Sequence, residues 1–160
     1  MVSILGIYGS YDVMKKLLLL FSLVILLTGC SVIKEEKICT LDYNYGTYSG
    51  LHIITMFSKD GEFISNLSLQ DRYNASFEDT DLSGVRAEIK DRQNHYLNDY
   101  QDATSEYSEN HGFIAFSTNL PLNGDNVELF LQEIGLTGDS LSIDDYQTYL
   151  ENHGYVCEEK

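Results

Sequence analysis

Four histidines, three cysteines and an excess of carboxylates are the chemistry-bearing residues of this 160-residue chain. His52, His95, His111 and His153 fall at no zinc-finger or His-Glu-x-x-His spacing. Two of them sit in repeated triplets, Asn110-His111-Gly112 and Asn152-His153-Gly154. Turns require Asn and Gly, so turns explain the triplets better than ligation does. A calcium loop starting at Asp139 would put Asp144 at its sixth position, where glycine is needed. Its twelfth would be Leu150, where a bidentate glutamate is needed. No Gly-x-Ser-x-Gly elbow raises a serine nucleophile. The sequence therefore leads to no catalytic residue, metal or cofactor, and enzymatic activity is not expected. Tyr43, Tyr45, Tyr48, Tyr96, Tyr100 and Tyr107 could line a ligand or glycan surface, although packing in sheet and core is the plainer expectation.

Cys30 closes the stretch Met14 to Ser31, MKKLLLLFSLVILLTGCS. Lys15 and Lys16 form a basic head, and Leu17 to Leu27 is an apolar run interrupted only by Ser22. A membrane-crossing helix needs about 20 apolar residues, so this run fits the apolar region of a secretory signal. Leu27-Thr28-Gly29-Cys30 resembles the box of bacterial lipoproteins, in which the cysteine thiol receives a diacylglyceryl group before cleavage. The resemblance implies a mature chain starting at Cys30 and held at the membrane by acyl chains, palmitate among them. Each buried methylene adds about 0.8 kcal/mol. Residues 1–13 lack a basic head and carry Asp12, so they are expected to be an extension upstream of a start at Met14. The expected order is then a signal peptide at 14–29, a polar tether at 30–37 and one extracytoplasmic domain at 38–160. With Cys30 on lipid, Cys39 and Cys157 remain as an even pair outside the cytoplasm. A disulfide is expected between them, with two buried thiols as the alternative.

Loss of residues 1–29 would leave eight basic and 24 acidic residues, a formal charge of −16. Such a surface repels nucleic acid and anionic headgroups. It could attract a cationic partner, although solubility beside an anionic membrane is the plainer explanation.

The elements follow from periodicity. Cys39, Leu41, Tyr43 and Tyr45 alternate with polar neighbours, which predicts a strand over 38–48. A second strand over 51–58 turns at Lys59-Asp60-Gly61. The return strand over 62–72 should place Phe63, Ser65, Leu67 and Leu69 on one face. Leu82, Val85, Ile89, Tyr96 and Tyr100 then fall at helical spacing. They predict a long amphipathic helix over 79–98, capped by Asp79 or Thr80, with Arg86, Lys90, Asp91 and Arg92 on its outer face. Residues 100–108 and 112–119 read as a hairpin, 120–126 as a loop, and 127–134 as a short helix. Ser142 should cap a last helix that stops at Gly154. The fold class is α+β: an antiparallel sheet packed against a long amphipathic helix and a short C-terminal helix pair.

This order of pieces resembles the YehR-like family of small bacterial lipoproteins. The matching stretches are Ile54-Thr55-Met56-Phe57-Ser58-Lys59-Asp60-Gly61, residues 100–119 and residues 142–157. The Cys39 and Cys157 pair looks like a version of the family seen in Gram-positive bacteria. The family implies an α+β fold with a sheet packed on helices; it implies no established activity and supplies no catalytic residue. The function expected is a membrane-anchored extracytoplasmic binding or accessory protein of the cell envelope. The alternative is an acidic inhibitor or immunity-type protein that blocks a cationic hydrolase.

Overall fold

The structure is a computed structural model that describes residues 34–77 and 79–159. The signal peptide, Cys30 and the first residues of the expected tether lie outside the described residues. Six strands form one antiparallel sheet in the order β4-β5-β3-β2-β1-β6. In chain order the elements are β1 (Lys34–Asn44), β2 (Tyr48–Ser58), β3 (Ile64–Ala75), α1 (Ser83–Asp99), β4 (Thr104–Asn110), β5 (Phe113–Pro121), α2 (Asp125–Glu133), α3 (Ile143–Asn152) and β6 (Val156–Glu159). The fold class is thus α+β. β1 reaches back to Lys34, into the stretch expected to be tether.

β1, β2 and β3 form the expected meander. The turn after β2 is fixed by Asp60, whose Oδ1 accepts from the Glu62 and Phe63 amides at 3.0 Å. Those bonds hold the Asp60 carboxyl below its ordinary pKa, and Gly61 supplies the positive φ of +83°. The register then shifts: Phe57 pairs with Asn66 but Ser58 with Ile64, so Ser65 is the extra residue of a bulge. The bulge corrects the expected face. Ile64 is buried at 4% exposure and Phe63 is left exposed, while Leu67, Leu69, Asp71 and Tyr73 keep the inner alternation.

All three helices lie over one face of the sheet. Under α2 and α3 the core gathers Cys39, Met56, Leu67, Leu120, Phe130 and Tyr146. α2 ends before Gly135, at φ +73°. It starts at Asp125, two residues earlier than expected, after Gly124. Ser142 caps α3 by accepting the Asp145 amide at 3.0 Å, and Gly154 follows its end at φ +89°. A smaller cluster beneath α1 gathers Tyr73, Leu82, Val85, Ile89, Ile114 and Phe116.

α1 departs from expectation in three ways. It starts at Ser83, without a side-chain cap from Asp79 or Thr80; Thr80 Oγ1 instead accepts the Phe77 amide, and Asp81 accepts that of Ser83. Of its 17 residues it buries Val85 and Ile89, so its apolar stripe is too narrow for the broad amphipathic face expected. Tyr100 ends it, and residues 100–103 form a turn, so β4 starts only at Thr104. Asn126 pins that turn: its Oδ1 accepts the Gln101 amide at 3.0 Å, and its Nδ2 donates to the carbonyls of Gln101 (2.9 Å) and Pro121 (2.8 Å).

Candidate functional site

Cys39 lies in β1 and Cys157 in β6, directly opposite each other in register. Their Cα atoms are 4.0 Å apart and their sulfurs are joined in a disulfide, 118 residues apart in the chain. The bridge fastens the four-residue β6 to the sheet and sets Tyr155 beside β1 and β2.

A row of polar side chains crosses the inner face of the sheet at its middle. His52 on β2 pairs with Asp71 on β3, and Asp71 with Phe116 on β5. Asp71 is a carboxylate on a strand face that otherwise carries Leu67, Leu69 and Tyr73, and it is only 5% exposed. A buried charge needs partners, and Asp71 has two. His52 Nε2 stands 2.8 Å from its Oδ1, and Arg92 Nη1 stands 2.9 Å from its Oδ2. Arg92 comes down from α1, donates Nη2 to the Tyr73 hydroxyl at 2.6 Å, and lies over the Phe116 ring. Burial opposes the guanidinium charge, but Asp71, Tyr73 and Glu88 more than offset it, so the Arg92 pKa stands above its ordinary value. Arg92 was expected on the outer face. It lies on the inner one, four residues before Tyr96 and three after Ile89, within the same helical stripe.

Because Asp71 only accepts, His52 presents Nε2–H to it. Nδ1 of a neutral ring is then left to accept from the Tyr155 hydroxyl at 3.3 Å. Tyr155–His52–Asp71 has the order of a nucleophile, base and orienting acid. Burial, with the Asp71 charge beside it, pushes the Tyr155 hydroxyl up to about 12. That phenol stays protonated at neutral pH, and the chain of bonds holds Tyr155 and His52 in line beside Asp71.

Above this row the sheet and the helices enclose a half-open cleft of about 360 Å³. α1 contributes Arg92 and Tyr96, α2 contributes Phe130 and Glu133, and α3 contributes Tyr146, Tyr149 and His153. The volume falls in the range of small-molecule sites. On α3 the rings of Tyr146 and Tyr149 stack at 5.9 Å, and Tyr149 meets His153 at 4.2 Å. Glu133 is held by His95 Nε2 at 2.9 Å, whose Nδ1 faces Asp99 at 2.7 Å. Among the described residues, Arg92 Nε is buried without a hydrogen-bond partner, and the buried Tyr100 hydroxyl neighbours Glu133. Burial, then the neighbouring Glu133, raises the Tyr100 pKa.

The tyrosine set divides. Tyr96 lines the cleft, Tyr100 is buried, and Tyr107 is half exposed on β4, donating to Glu109 at 2.6 Å. Tyr43, Tyr45 and Tyr48 gather with Tyr73 at the far end of the meander. There the Tyr43 ring lies across Gly50, in the space a Cβ would occupy, which is why glycine stands near the start of β2. His111 bonds within its turn to Asn110, and His153 Nδ1 to the Tyr149 carbonyl at 2.7 Å. Among the described residues no group of His, Cys, Asp and Glu could hold a metal ion. The inward Asp71 and Arg92 escaped the sequence reading, yet each stands at an apolar position of a clear period, and that was the available signal.

Residues 14–31 match the family model of the prokaryotic membrane lipoprotein lipid attachment site. The chain carries a lipid anchor site. That site points to a lipid-anchored membrane protein, and Cys30 is the cysteine within the matched stretch. Among solved structures, the NMR structure of the YehR protein of E. coli matches with a TM-score of 0.50 at 6% identity, over 79% of this chain and 92% of that one. The two share a fold, in line with the resemblance read from the sequence. A search of curated proteins finds no match.

Proposed function

We propose that this chain is an extracytoplasmic binding or accessory lipoprotein of the cell envelope, without catalytic activity. The observation that carries the binding reading is the cleft, whose size and aromatic walls suit a small ligand and whose charged groups are committed to one another. The disulfide supports the extracytoplasmic side, because a reducing cytoplasm would keep both thiols free. The alternative of an acidic inhibitor draws on net charge alone, and no geometry among the described residues favours it.

The test is in two parts. Cys30→Ala should abolish palmitate labelling and membrane retention; persistent labelling would refute the anchor. The mature protein, extracted gently from its own membranes, should carry a non-covalent small molecule by native mass spectrometry. A ligand-free protein that instead turns over a substrate, and loses that turnover on His52→Ala, would refute the binding reading.

A further inference from the structure

We propose that the cleft binds a neutral, hydroxyl-rich ring compound, of which a mono- or disaccharide is the fitting class. The inference rests on the binding reading above and names its ligand.

Charge decides first. The cleft is lined by one guanidinium (Arg92), two carboxylates (Asp71 and Glu133) and two imidazoles (His52 and His153), and His95 reaches Glu133 from beside it. Asp71 is met by both Arg92 and His52 at 2.9 and 2.8 Å, and Glu133 by His95 at 2.9 Å. An anionic ligand would approach two carboxylates, and its natural partner Arg92 is already occupied. A cationic ligand would compete with Arg92 or His95 for an acid that each already pairs. Both costs fall on groups partly withdrawn from water, where broken pairs are expensive. A neutral ligand incurs neither.

The walls decide next. The row Tyr146, Tyr149 and His153 along α3 offers ring surface on one side, and Tyr96 on α1 stands on another. Ring faces carry partial negative charge and attract the weakly positive C–H groups of a pyranose face. An all-apolar ligand would meet the same walls but would cover polar atoms without satisfying them.

Hydrogen bonding decides last. A paired carboxylate still has acceptor capacity, and Glu133 is free to accept from a hydroxyl beyond its bond to His95. Arg92 Nε–H is buried without an acceptor, and a ligand hydroxyl is both donor and acceptor. The cleft therefore offers donors and acceptors whose charged groups are already paired with one another, beside aromatic surface, which is the complement of a sugar.

The experiment titrates the full mature lipoprotein in lipid nanodiscs with glucose, galactose, N-acetylglucosamine and its β-1,4-linked dimer, with citrate and spermidine as charged probes. The ten tyrosines of the mature chain, without any tryptophan, give a direct fluorescence readout. At least one neutral sugar should give a saturable change that salt does not weaken, since no charge pair forms between ligand and protein. Tyr149→Ala and Glu133→Gln should each raise its Kd about tenfold or more, roughly the loss of one good contact. The conservative Glu133→Gln covers the case in which Tyr149→Ala unfolds. Saturable, salt-sensitive binding of citrate or spermidine alone would overturn the saccharide inference and leave the binding reading intact. Absence of any sugar response, or a response unchanged in both variants, would also overturn it.

Discussion

The two halves of the helical layer are held in different ways. α2 and α3, nine and ten residues long, each bury three residues in the large core. α1 is nearly twice as long and buries two. Its second half carries polar ties to other elements instead: Arg92 to Asp71 and Tyr73, and His95 to Glu133. Apolar contact is non-directional and fills space, so a helix packed that way closes onto the sheet. A guanidinium on a long stem reaches its acid from a distance and leaves room beneath the helix axis. The cleft opens where the mode of attachment changes.

The largest effect should come from the fastening at the apolar side. Closing a loop across 118 residues stabilises by about 5 kcal/mol in the chain-entropy model. Reduction, or the change of both Cys39 and Cys157 to serine, should lower the unfolding free energy by about that amount in a denaturant titration. The loss should be no smaller with the cleft empty, because the bridge acts on the unfolded chain. A loss below about 1 kcal/mol would show that β6 is held by its strand pairing alone.

Next in size is a pair of truncations that compares the two clusters directly. Leu67, fully buried in the large core, should cost about 3–4 kcal/mol as Leu67→Ala. Val85→Ala, beneath α1, should cost about 1–2 kcal/mol, since it removes fewer methyl groups from a site that water already borders. Equal losses would mean that α1 is as firmly seated as the other helices.

How far the sequence foretold this arrangement depends on how local each signal is. The Asp60-Gly61 turn, the Ser142 cap and the stops at Gly135 and Gly154 lie where expected, because each is decided within three or four residues. The disulfide was legible for a different reason, the parity of cysteines in an exported chain. The bulge at Ser65 was not, because it depends on which residue of β2 faces β3, and one inserted residue exchanges Phe63 for Ile64 at the core. Nor was the Asp71–Arg92 pair: the residues are 21 positions apart on different elements, and a charged side chain on a helix defaults to the outer face. The cleft inherits that difficulty, since its polar floor consists of such pairs.

Asp71→Ala tests the polar attachment itself. It leaves Arg92 and His52 facing each other without their acid, and an uncompensated charge in a mostly buried site is costly. Both partners retain some exposure, 28% of each side chain, so solvent will screen part of the penalty. The expected loss is about 2–3 kcal/mol. Hydrogen exchange should speed most in the second half of α1 and little in α2 and α3. Uniform acceleration across all three helices would refute the division drawn above.

The smallest effect sharpens the same point. α1 makes a second arginine–carboxylate tie, from Arg86 to Glu109 on the edge strand β4, with Nε at 2.9 Å and Nη2 at 2.5 Å from one oxygen. The chemistry repeats that of Arg92 and Asp71, but this pair stands at the rim, open to water. The hydrogen bond from Arg86, then that from Tyr107, holds the Glu109 carboxyl below its ordinary pKa. A carboxyl whose folded pKa is depressed contributes stability that is present above its unfolded pKa and lost as pH falls through the folded one. Glu109→Gln should therefore lower Tm slightly at neutral pH. The difference from the parent should shrink below the ordinary glutamate range and also at high salt, where exposed pairs are screened. Asp71→Ala, by contrast, should keep most of its penalty at high salt, because its pair is withdrawn from the solvent that carries the ions. If the two variants respond alike to salt, burial does not distinguish the two ties of α1.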